Sequence, residues 1–166
     1  AWTERRDEVE RRAGQILDAL AQKPNGVAEE PPSARTVARC AAAIMQGADK
    51  QHGGYGSGPK FPTPTNLEAV LAAVDFVTDD ASREWLDHLH FTCVEMARRG
   101  LYDHLGGGFH RYCVDGRWTI PHFEKMLYDQ GLLLRVYAEM FRRSRGDAEH
   151  AWPIHETVDY LRREMT

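Results

Sequence analysis

The sequence predicts an all-α fold, built from successive antiparallel helical hairpins and interrupted by one short β-hairpin near residues 109–120. Three observations predict it. Apolar residues return at the spacing of one helical face through six separate segments. An Asp115-Gly116 turn stands between Phe109–Val114 and Arg117–Ile120, the mark of a tight β-hairpin. The chain also echoes itself: Gly53-Gly54-Tyr55, Pro59-Lys60-Phe61 and a helix are followed by Gly107-Gly108-Phe109, Pro121-His122-Phe123 and a helix. Gly54 and Gly108 lie 54 residues apart, enough for helix, loop, helix, loop. Repeated hairpins of that length stack into solenoids or close into toroids, with their loops gathered at one rim.

The first helix is expected from about Thr3 to Ala21, with Val9, Ala13, Ile16, Leu17 and Leu20 on one face. Lys23-Pro24-Asn25-Gly26 ends it, and Pro31-Pro32-Ser33 opens a second helix with the stripe Val37, Cys40, Ala41, Ile44 and Ala48. After a glycine-rich loop, Thr65 with Glu68 three residues on resembles a capping box for a third helix, which buries Leu67, Val70, Leu71, Val74 and Val77. Asp80 caps a fourth, lined by Trp85, Leu89, Cys93, Met96 and Ala97 and stopped by Gly100. In the hairpin a two-residue turn sets Cys113 opposite Trp118 and Arg111 opposite Ile120. Pro121 suits the first position of a fifth helix, which is apolar on every side from Met126 to Phe141 and so is expected inside. A sixth helix starts near Pro153 and shows Ile154, Thr157, Val158, Leu161 and Met165.

With 166 residues, 42% of them hydrophobic and 28% charged, the chain has the composition of one globular domain. A formal net charge of -4 argues against nucleic acid, which needs a basic face. No apolar run approaches the ~18 residues that cross a bilayer, so no membrane partner is expected. Cys40, Cys93 and Cys113 are scattered, which points to reduced thiols and a cytoplasmic setting. The chain opens inside one helical pattern and stops inside another, and is therefore expected to be a piece of a longer protein.

Two stretches carry a specific resemblance: His52-Gly-Gly-Tyr-Gly-Ser-Gly-Pro-Lys-Phe-Pro62, and Leu101-Tyr-Asp-His-Leu-Gly-Gly-Gly-Phe-His-Arg-Tyr-Cys-Val-Asp115 with Trp118 and Pro121-His-Phe-Glu-Lys-Met-Leu-Tyr-Asp-Gln130. Together they resemble the thioredoxin-domain-containing family similar to spermatogenesis-associated protein 20. The resemblance implies a thioredoxin-like domain ahead of an (α/α)6 toroid akin to those of sugar epimerases and glycosidases. Residues 1–166 would be a single partial toroid, roughly its first half, with the thioredoxin-like domain lying N-terminal to this chain and absent from it. No redox cysteine pair carries over to any residue here. Tyr55 stands where Phe is commoner in the family, and Cys113 where Ser is usual.

The chemistry-bearing residues concentrate between Leu101 and Asp129. His122, Glu124, Lys125 and Asp129 are the candidate catalytic groups, and His110, Arg111, Tyr112, Asp115, Trp118 and Tyr128 the candidate ligand-binding ones. Ionisable groups on an apolar inner helix must be paired or must line a wet cavity. Two readings therefore stand: the edge of a sugar-binding cavity with aromatic platforms and acid/base groups, or a buried network joining Glu124 or Asp129 to Arg111 or Lys125. If a helix starts at Pro121, Glu124 is held by the free amides of its first turn. His104, His110, His122, Asp103 and Cys113 lack the close spacing of zinc ligands, and neither glycine loop is a P-loop, so no metal and no cofactor is expected. His88, His90, His150 and His155 are expected on helix surfaces, and Trp2, Trp85 and Trp152 in packing roles. The activity is either carbohydrate binding or processing, or that of a non-catalytic scaffold serving the thioredoxin-like domain. Half a toroid would leave apolar faces bare, so self-association is expected.

Overall fold

The computed structural model describes residues 5–21, 31 and 33–165. The expected start of the first helix at Thr3, Trp2, and the Lys23–Gly26 stop lie outside them. The chain divides into two compact units, Ala1–Pro31 and Pro32–Thr166. In the first, α1 (Arg6–Ala21) carries the expected apolar stripe, yet Val9, Ile16, Leu17 and Leu20 are all exposed.

The second unit runs α2 (Ala34–Met45), α3 (Pro64–Ala73), a 3-10 turn (Val74–Phe76), α4 (Asp79–Arg98), β1 (Tyr112–Cys113), β2 (Pro121–His122), α5 (Leu127–Arg143) and α6 (Ala148–Glu164). The fold is all-α with one short antiparallel hairpin. Helix α2 packs on α3, α5 on α6, and α3 on α5. The core joins Leu67, Val70 and Leu71 of α3, Trp85, Leu89, Cys93 and Met96 of α4, and Leu133, Val136, Tyr137 and Met140 of α5. Each such side chain contributes roughly 1.5–3 kcal/mol by leaving water. The Tyr137 hydroxyl is satisfied within that core, donating to the Cys93 carbonyl at 2.6 Å.

Several expectations at element ends are corrected. Pro64 is the first residue of α3 and Thr63 its N-cap, so Thr65 and Glu68 form no capping box. Glu68 pairs instead with Arg135 at 3.1 Å. Thr78 rather than Asp80 holds the N-cap position of α4, and its side chain makes no capping hydrogen bond. Cys40 faces solvent. Helix α6 starts five residues before Pro153, because Asp147 caps it by accepting from the Glu149 amide.

The largest correction concerns residues 113–126. Cys113 pairs with Pro121 and Tyr112 with His122, a register that leaves Val114–Ile120 as a wide loop. The Asp115 carboxylate organises that loop by accepting from the amides of Arg117 (2.9 Å), Thr119 (3.0 Å) and Ile120 (2.8 Å). A short polar side chain bonding to amides ahead of it competes with a two-residue turn. Here it wins, and Trp118 turns inward with φ +62°. Pro121 is therefore a strand residue, and 123–126 belong to no helix or strand. Helix α5 starts only at Leu127, and it is one-sided: Leu127, Tyr128 and Phe141 are exposed while Leu133 and Val136 are buried.

Candidate functional site

The 54-residue echo is a repeated structural device. In the first copy the Asp49 amide donates to the Gly54 carbonyl and the Gly53 amide to the Asp49 carbonyl, each at 2.9 Å. In the second, Asp103 with Gly108 (2.9 Å) and Gly107 with Asp103 (2.8 Å) do the same. The Asp49 carboxylate takes the amides of Gln51 and His52, and Asp103 takes those of Leu105 and Gly106. Each carboxylate is then locked by a lysine that also donates to a carbonyl: Lys60 to Asp49 and Gly116, Lys125 to Asp103 and Gly107. Each ammonium lies over an aromatic ring, Trp118 at 5.2 Å and Tyr160 at 4.3 Å. Burial alone would raise both carboxyl pKa values; the lysine and amide hydrogen bonds outweigh it, and both fall below 3.8.

The glycines follow from this packing. Gly54 and Gly108 have φ of +70° and +80°, and an added Cβ would meet Trp118 at 2.6 Å and Tyr160 at 2.7 Å. A side chain at either would therefore be strained in its backbone and obstructed in space. The echo breaks only after the turns. The counterpart of Lys60 is Lys125, not His122, because the hairpin is inserted into the second copy.

Beside the hairpin lies a cavity of about 250 Å³, lined by Phe61, Pro62, Thr63, Pro64, Arg111, Tyr128 and Asp129. Phe61 stacks on Tyr112 at 4.5 Å, and Tyr112 on His122 at 4.8 Å, with interplanar angles of 17° and 14°. The strand pairing causes the second stack, since Tyr112 and His122 are directly opposed. Arg111 donates to Glu124 at 2.9 Å, and that contact holds the Glu124 carboxyl below its ordinary value. Asp129 differs. It is 7% exposed, its Oδ2 has no hydrogen-bond partner among the described residues, and burial pushes its pKa above 3.8, only partly opposed by Arg111. A larger hollow of about 490 Å³ runs between α3 and α5, but its Glu68, Arg135, Glu139, Arg142 and Arg143 are already tied into ion pairs.

No family model matches the chain. Spermatogenesis-associated protein 20 of Rattus norvegicus is 37% identical over 171 residues, covering 99% of this chain and 21% of the rat protein. The Homo sapiens protein of that name is 36% identical, covering 99% and 22%. The chain is homologous to a segment of the spermatogenesis-associated protein 20 family. An uncharacterized Caenorhabditis elegans protein is 30% identical over 98% of the chain and 22% of its own length. The chain thus spans about a fifth of the length of the curated relatives it matches.

The structure brings together Arg111, Tyr112, His122, Glu124, Tyr128 and Asp129 and separates the other four candidates from them. Lys125 is spent on Asp103 and Gly107. Trp118 is fully buried beneath Gly54, its Nε1 donating to the His52 carbonyl at 2.8 Å. Asp115 serves the loop, and His110 is buried edge-on to Phe123. Glu124 is held by Arg111 and not by helix amides, because no helix begins before it. Sequence reasoning missed Phe61 and the Pro62–Pro64 wall, which come from the first echo unit fifty residues upstream. It also set His150 and His88 on the surface, whereas both are buried.

Proposed function

We propose that the Phe61–Arg111–Asp129 cavity binds a small hydroxyl-rich, sugar-like ligand, with Asp129 as the proton-exchanging carboxylate. The observation that carries this is Asp129 itself: a nearly buried, unpartnered carboxyl with a raised pKa in the wall of an open cavity. An unpaired buried carboxylate costs stability, and a function is one reason for a fold to carry that cost. Aromatic faces and a guanidinium beside it suit a ring with an apolar face and polar edges. Asp129 is shifted up and Glu124 down around one arginine, the separation that acid/base chemistry uses. The wider protein is read as a thioredoxin-like domain joined to an (α/α)6 toroid in the cytoplasm, with this chain about half of the toroid and its bare faces disposed to self-association.

Saturation-transfer NMR against a panel of monosaccharides and disaccharides tests the reading. At least one sugar is expected to receive saturation from the wild-type chain, and to lose it with Asp129→Asn and with Phe61→Ala. No transfer from any sugar, or transfer that survives both substitutions, contradicts it. The second reading is a non-catalytic helical scaffold for the thioredoxin-like domain. The two Asp–Lys locks favour it, since they show how much of the charged cluster is consumed in holding loops.

A further inference from the structure

We propose that His90, Asp147 and His150 form a binding site for a divalent transition-metal ion of the zinc class. His90 projects from α4, while Asp147 and His150 sit at the N-cap and first turn of α6. His90 Nδ1 and His150 Nε2 face each other at 2.9 Å, and Asp147 Oδ2 lies 4.0 Å from His90 Nδ1. The three potential ligand atoms all lie within 4.8 Å of one another.

Two imidazole nitrogens this close share a single proton, and a metal ion can take its place and accept both lone pairs. With Zn–N bonds of about 2.0–2.1 Å, tetrahedral ligand atoms stand roughly 3.4 Å apart, so the site needs a small spread of the two rings and a small approach of the Asp147 carboxylate. His150 is fully buried, which fixes one ligand rigidly, and its burial also favours the neutral imidazole a metal requires. Its Nδ1 is buried without a partner among the described residues, so no hydrogen bond commits the ring to one tautomer. The His90 and Asp147 side chains are 45% and 34% exposed, leaving an entry path and room for a water ligand.

Ligand chemistry selects the ion. Two nitrogens and one carboxylate oxygen suit zinc and its neighbours, whereas calcium and magnesium take oxygen cages. The positive end of the α6 dipole opposes a cation there, and the Asp147 carboxylate offsets it. Asp147 keeps its capping role through Oδ1, which accepts from the Glu149 amide at 3.0 Å, so Oδ2 remains for the ion. Glu149 is not a ligand, being held by Arg98 through both carboxylate oxygens.

Co²⁺ added to the chain supplies the test, read by its visible d–d absorption and by displacement with Zn²⁺. One Co²⁺ per chain is expected, displaced by Zn²⁺, with affinity falling roughly tenfold or more in His90→Ala. Asp147→Asn keeps a capping oxygen and is expected to weaken binding while α6 remains folded by circular dichroism. His155→Ala, on the exposed side of α6, is expected to change nothing. Absence of a d–d band at excess Co²⁺, or wild-type affinity in both His90→Ala and Asp147→Asn, overturns the proposal.

Discussion

Asp49→Ala is expected to lower the unfolding free energy by about 3–5 kcal/mol, because it strands a buried charge. Lys60 is fully buried, and among the described residues its ammonium is satisfied by Asp49 and the Gly116 carbonyl, with the Trp118 ring alongside. Removing the carboxylate also frees the amides of Gln51 and His52, which it holds at 2.9 and 3.0 Å. Both losses fall on the first glycine turn, which Trp118 joins to the β1–β2 loop. Urea unfolding followed by tryptophan fluorescence measures the change. A difference under about 1 kcal/mol would mean that the lock is ornamental, as exposed ion pairs usually are.

Trp118→Ala is expected to cost a similar amount, about 3–5 kcal/mol, by opening a cavity where a large side chain is fully buried. Trp118 is among the largest fully buried side chains. It fills the space under Gly54, donates to the His52 carbonyl at 2.8 Å and covers the Lys60 ammonium. For a domain of this size the melting temperature should fall on the order of 10 °C. Asp49 and Trp118 act on the same lysine, so the double variant should fall short of the sum of the two. Strict additivity would show that they support the fold separately.

Helical periodicity located α2 to α6 because each must bury one apolar stripe, and Leu67, Leu89 and Leu133 are fully buried as their spacing requires. The exceptions are instructive. Asp115-Gly116 is a turn signal by composition, but the Asp115 carboxylate reaches three amides and widens the loop. Pro121 is as compatible with a strand edge as with a helix start. Placing it in a helix left Lys125 as a partner on offer to Asp129, when Lys125 is held by Asp103 and the Gly107 carbonyl. The glycine echo was legible as words, while its meaning lay in Asp49 and Asp103, whose lysine partners stand at unequal distances along the chain. Phe61 could have been placed beside the cluster only by knowing that Lys60 bridges to Cys113.

The two kinds of carboxyl respond oppositely to pH. Asp49 and Asp103 have depressed folded-state pKa values, so their stabilisation is full above 3.8 and is lost as pH falls through the folded values. Asp129 has a raised value, so it costs stability above that value, and the cost disappears once pH falls below 3.8. The charged cluster thus divides into groups that hold the fold and one that burdens it.

That division is the central claim, and urea unfolding of Asp129→Asn and Lys125→Ala at neutral pH tests it most directly. Asp129→Asn is expected to be at least as stable as the wild type, with any gain vanishing as pH falls below 3.8. Lys125→Ala is expected to lose about 1–3 kcal/mol, since Asp103 and the Gly107 carbonyl lose their shared donor. A marked destabilisation by Asp129→Asn, with Lys125→Ala unchanged, would make Asp129 a structural residue and contradict the account.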